Sequence, residues 1–164
     1  MNLEVLQKSA TEFKTVKGLV LLDDYETSAN LLQARTPTYR RDNHTDFYQG
    51  CIDLPGGQTD DLDIDAFHTF QREFYEEFGI IVGPEDMLYA QEHTGQPRAS
   101  DQLILPSLFV VAKTIHPALI QFPKTGEGTE HGTMTIAEYL QRGDTIPQQV
   151  ERVLDFIVWA SAAD

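Results

Sequence analysis

Residues 65–78, DAFHTFQREFYEEF, constrain the fold of this 164-residue chain more than any other stretch. Asp65 is a natural N-cap and Gly79 a natural stop, so the segment predicts one helix. At roughly 100° per residue, Phe67, Phe70, Phe74 and Phe78 fall within about 80° of arc, one aromatic seam that other elements must cover. Glu73, Glu76 and Glu77 fall in a neighbouring arc of about 100°, because spacings of three and four bring side chains together. Like charges so placed cost a few tenths of a kcal/mol per pair. A hard divalent cation would turn that repulsion into coordination, since Mg²⁺ favours carboxylate oxygens. The competing reading is a solvated acidic face.

Around this helix the chain predicts strands. Val16–Leu22 (VKGLVLL) reads as a buried strand and Ala29–Arg35 as its partner, with polar turn material between them. Residues 36–46 read as a polar loop, and Phe47–Leu54 as a strand running into Pro55-Gly56-Gly57. Met87–His93 and Leu103–Lys113 are further strands, with Pro106 marking a bulge or an edge. Residues 123–134 read as a glycine-rich loop. Thr135–Gln141 predicts a short helix and Pro147–Ala162 a longer one, its stripe formed by Val150, Val153, Leu154, Ile157 and Val158. Strands interspersed with helices point to an α/β (α+β) fold, a mixed sheet covered by helices. The length suits a single domain over 1–164, with residues 1–11 a loosely held lead-in.

Composition narrows the function. A formal net charge of −14 argues against nucleic acid, whose phosphates such a surface repels. An acidic protein still binds a phosphorylated small molecule if divalent cations lie between the two. No apolar run of about 18 residues argues for a membrane span, and MNLEVLQKSATEFK does not read as a secretory signal. The single cysteine, Cys51, fits a small core residue in a reducing cytoplasm and excludes both a disulfide framework and a cysteine-rich zinc site.

The context of the acidic helix adds a resemblance. Leu54-Pro55-Gly56-Gly57 precedes it, and Arg72-Glu73-Phe74-Tyr75-Glu76-Glu77-Phe78-Gly79-Ile80 matches the second half of the Nudix signature, G-x5-E-x7-R-E-U-x-E-E-x-G-U. Only Phe74 is off pattern in that half, aromatic where an aliphatic residue is usual. The resemblance implies a Nudix-like α/β/α sandwich with a mixed central sheet. It also implies Mg²⁺- or Mn²⁺-dependent hydrolysis of a nucleoside diphosphate linked to another group. Glu73, Glu76 and Glu77 would then hold metal, with the Gly57 carbonyl a further ligand and Arg72 pairing with a carboxylate of the box. One of the glutamates would orient or deprotonate the attacking water.

The first half of the box departs from that pattern. Gly57 and Arg72 are 15 positions apart, one more than the signature allows. The early glutamate is missing: Asp63 or Ile64 stands there, depending on the end from which one counts. An extra residue in Gln58–Leu62 would let Asp63 approach the place with a shorter arm. Asp61, Asp63 and Asp65 imitate the opening of an EF-hand loop, but Ala66 and Arg72 stand where that loop needs Gly and Glu.

Further candidates lie outside the helix. Tyr39, Arg40 and Arg41 precede the glycine turn and are candidates to stack on a nucleotide and contact its phosphates. Glu127 and Glu130 lie among glycines, and we expect Glu130 to position water from a mobile loop. Three functions are compatible with these residues: a Nudix hydrolase, a Nudix-fold nucleotide-binding or regulatory module with little turnover, and an acidic face that binds a protein partner. The intact Glu73, Glu76 and Glu77 favour the first, acting on a nucleotide-like small molecule and not on nucleic acid or at a membrane. The sequence leaves a homodimer open.

Overall fold

A computed structural model describes residues 3–22, 28–44, 47–94, 105–113, 120–121 and 128–162. Its centre is a four-stranded mixed sheet. Strand β1 (Thr15–Leu21) runs parallel to β6 (Ser107–Lys113), pairing Val16 with Leu108 through to Leu21 with Lys113. Antiparallel β4 (Gly56–Gln58) and β5 (Met87–His93) complete the order β4-β1-β6-β5. A second, antiparallel sheet has the order β3-β2-β7, from Ile52–Asp53, Arg35–Arg40 and Thr129–Thr135.

The period-2 alternation of β1 and β6 divides the core in two. Val16, Val20, Leu108, Val110 and Ala112 face helix α1 (Ala66–Phe78), meeting the seam of Phe67, Phe70, Phe74 and Phe78. Leu19, Leu21, Phe109 and Val111 face the other way, toward α2 (Ile136–Gln141) and α3 (Pro147–Ala162) through Ile136, Tyr139, Val153 and Phe156. Each phenylalanine buried in this way contributes about 1.5–3 kcal/mol, so α1 is anchored by its seam. Helices on both faces of a mixed sheet make the expected α/β/α sandwich. Asp65 caps α1 by accepting from the His68 N–H at 2.8 Å, and Gly79 ends it in the left-handed conformation.

Four expectations are corrected. Residues 28–33 form a 3-10 helix, and the strand expected at Ala29–Arg35 begins only at Arg35 and continues through the supposed loop to Arg40. Thr36 and Thr38 are buried in β2, and threonine's branched side chain suits a strand despite its polarity. Residues 47–50 form a turn, leaving only Ile52–Asp53 as strand. The later part of the expected glycine loop, 129–134, is strand β7; Glu127 and the rest of 123–127 lie outside the described residues, as do Leu103 and Ile104. Of residues 1–11, expected to be loosely held, 3–11 are described: Leu3–Gln7 and Ala10–Glu12 form two 3-10 helices that bury Leu6 and Ala10, and the Lys8 carbonyl accepts from Ala66 N–H at the start of α1.

Candidate active site

The glycine turn and α1 meet face to face. Gly57 lies beneath the Glu73 carboxylate: a Cβ there would stand 2.6 Å from Glu73 Cδ, so any larger residue would push the end of that side chain aside. Gly56, at φ 121°, adopts a conformation that favours glycine, and its backbone N–H favours the charged form of Glu77. Glu77 is 9% exposed, and its Oε2 has no hydrogen-bond partner among the described residues. Burial pushes its pKa well above the usual carboxylate range, with Glu73 and Asp53 adding to the effect against Lys17 and the Gly56 N–H. Glu73 is raised as well, by burial and by Glu76, against Arg72.

Arg72 organises the outer side. It donates to Asp63 Oδ1 and Oδ2 at 2.9 and 3.0 Å, to Glu73 Oε1 at 3.1 Å, to Glu76 Oε2 at 3.4 Å and to the Gln58 carbonyl at 3.2 Å. Asp63 also accepts from Thr69 Oγ1 and the Asp60 N–H, at 2.8 and 2.9 Å. Its pKa is lowered to about 2, with the bond from Arg72 the largest cause. Asp63 is thus committed to holding Arg72.

Glu73, Glu76 and Glu77 therefore do not converge as one cluster. Glu76 lies out along Arg72 with its side chain 57% exposed, while Glu77 turns inward. Among the described residues no group of three or more His, Cys, Asp or Glu side chains is gathered as a metal site. Two features nevertheless fit a hard cation. The orphaned Glu77 Oε2 is a buried acceptor in need of a positive partner, and the bare Gly57 backbone lets the turn approach the Glu73 carboxylate closely.

Near Glu77 lies a charged group in which sequence reasoning singled out Tyr39 and Arg41 but missed Lys17 and Asp53. Lys17 Nζ donates to Asp53 Oδ2 at 2.5 Å and to Tyr39 OH at 3.0 Å, and Arg41 reaches the same Asp53 oxygen at 2.7 Å. Lys17 is 7% exposed and Asp53 fully buried. Burial opposes both charges, but the pairing outweighs it: Lys17 is held above its usual pKa and Asp53 below. A lysine inside the apolar strand VKGLVLL was the available signal, since a buried charge demands a partner.

The other predicted residues line the edge of β2 and β7. Tyr39 is 6% exposed, stacked on His131 with ring centroids 5.7 Å apart, and His131 in turn meets Phe78 of α1 at 5.9 Å. Arg40 bonds Glu130, the Gly50 carbonyl and Asp144. Glu130 thus sits at the head of a strand, held by Arg40, with φ at 51° and its side chain 61% exposed. A groove of about 350 Å³ runs along α1 on the far side of Arg72 and Asp63, which line it with Leu62, Ile64, Tyr75 and Ile81 among others; Glu73 and Glu77 do not line it.

Solved structures share this arrangement of layers. The Nudix domain of Shewanella oneidensis NrtR, complexed with ADP ribose, superposes over 96% of this chain and 94% of its own, with a TM-score of 0.61 and 16% identity. The chain has the Nudix fold. A MutT protein from Methanosarcina mazei matches over 92% of this chain and 96% of its own, with TM-score 0.61 and 17% identity. A bifunctional NMN adenylyltransferase/ADP ribose pyrophosphatase from Francisella tularensis, complexed with AMP and a manganese ion, reaches TM-score 0.66 at 15% identity. It matches over 90% of this chain and 42% of its own. No protein-family model and no curated protein matches the sequence. No helix among the described residues is long and apolar enough to cross a membrane.

Proposed function

We propose that the protein is a Nudix-type pyrophosphohydrolase that uses Mg²⁺ or Mn²⁺ to cleave a nucleoside diphosphate linked to another group. One observation carries the reading: an unpartnered, buried Glu77 oxygen beside Glu73, at the glycine turn of a Nudix fold. Glu73 and Glu77 would hold the cation with the Gly57 carbonyl, and Glu76 would join them on leaving Arg72. The cation would supply charge neutralisation at the diphosphate and a lowered pKa for water. Arg72, fixed by Asp63, keeps Glu73 in place. Arg40 and Arg41, with Tyr39 behind them, face the substrate's phosphates. When a phosphate takes the Arg40 guanidinium, Glu130 is released and becomes the group that positions water.

Neighbours complexed with ADP ribose and AMP support a nucleotide-like ligand. The test is a panel of ADP ribose, dinucleoside polyphosphates and nucleoside triphosphates with Mg²⁺ or Mn²⁺, detecting phosphate after phosphatase treatment. Metal-dependent turnover of one class is expected. No turnover alongside tight nucleotide binding would favour the second reading, a nucleotide-binding module, which the divergence of the three glutamates supports.

A further inference from the structure

The charges behind Glu77 bear on what the site can bind, an inference that rests on the proposed metal site. Lys17 pairs with Gly56 across β1 and β4, and a Cβ on Gly56 would stand 2.6 Å from Lys17 Cα and 3.0 Å from its Cγ. The lysine stem thus passes the glycine turn, whose next residue, Gly57, lies beneath the Glu73 carboxylate. Its ammonium is buried, fixed by Asp53 and Tyr39, and acts electrostatically on both Glu77 and Glu73. A positive charge held in a poorly solvated interior is screened little and cannot move away.

We propose that Lys17 is a built-in counter-ion of the glutamate pair, which competes electrostatically with a divalent cation and sets the metal affinity of the site. Asp53 restrains that competition by drawing the ammonium to itself. The site is consequently a weaker metal binder than its carboxylates alone would make it. Removing the lysine charge strengthens metal binding, whereas a purely structural lysine, once lost, could only weaken it.

Titration of the full-length protein with Mn²⁺ by isothermal calorimetry, with electron paramagnetic resonance of free Mn²⁺ as a second readout, tests this. Lys17→Met should bind Mn²⁺ at least about tenfold more tightly than wild type. Asp53→Asn, which frees the ammonium toward Glu77, should bind it more weakly. Lys17→Arg should stay near wild type. If Lys17→Met does not fold, Lys17→Met/Asp53→Asn decides, since it leaves neither partner of the pair charged. Lys17 runs beside the glycine turn that underlies Glu73, so this double variant should still gain affinity. Wild-type or weaker affinity in a folded Lys17→Met protein, or in the double variant where the single one fails to fold, overturns the role of Lys17 and leaves the metal site standing. Absence of Mn²⁺ binding in wild type and in the folded lysine variants overturns the metal site itself, and this inference with it.

Discussion

Arg72 grips Asp63 with two parallel bonds, Nε to Oδ1 at 2.9 Å and Nη2 to Oδ2 at 3.0 Å. Asp63, in the irregular first half of the box, therefore orients the arginine, and through it Glu73. Asp63→Asn should cost about 1–3 kcal/mol of stability at pH 7 and reduce turnover tenfold or less. Urea denaturation and steady-state kinetics measure the two.

The same pair makes stability depend on pH. Asp63 is held at about 2 in the fold against a usual 3.8. A lowered pKa contributes stability above the unfolded value and loses it as pH falls through the folded one. The contribution is about 2 kcal/mol. The difference between wild type and Asp63→Asn should thus be full above pH 5 and mostly gone by pH 2, as urea titrations across that range would show.

Glu77 behaves in the opposite sense. Its raised pKa means that ionising it in the fold costs stability, a cost absent below the unfolded pKa and complete once pH exceeds the folded one. Glu77→Gln should therefore raise the melting temperature at pH 7.5 without metal, and the gain should shrink toward pH 4. Differential scanning calorimetry checks both.

Much of this was legible in the sequence, and the limits have physical causes. The spacing of four phenylalanines and three glutamates placed α1 correctly, since helical geometry is local. Most of strands β2 and β7 reads as loop because residues 36–40 and 129–134 are largely polar and pair across about a hundred residues. Lys17 and Asp53 lie 36 residues apart, and nothing local to either announces the other. The divergence of Glu76 from Glu77 depends on where Arg72 points, which a helical wheel does not show.

Gly57→Ala tests the space under Glu73. The added Cβ would come within 2.6–2.8 Å of the carboxylate atoms, and the end of that flexible side chain must shift. The fold should survive. A displaced ligand should cost kcat/KM about tenfold to a hundredfold, with weaker Mn²⁺ binding by calorimetry.

Glu130→Gln separates positioning of water from metal binding. Its kcat should fall by about a hundredfold, with KM within a few fold and Mn²⁺ affinity unchanged. Wild-type kcat would leave Glu130 as no more than the partner of Arg40.

The most direct test of the central claim is hydrolysis of the best nucleotide substrate by wild type and Glu77→Gln, each with and without Mn²⁺. Wild-type turnover should require the ion, and the folded variant should be slower by at least about a hundredfold. Equal rates in the two proteins, or turnover indifferent to Mn²⁺ and Mg²⁺, would contradict the assignment of metal-dependent chemistry to α1.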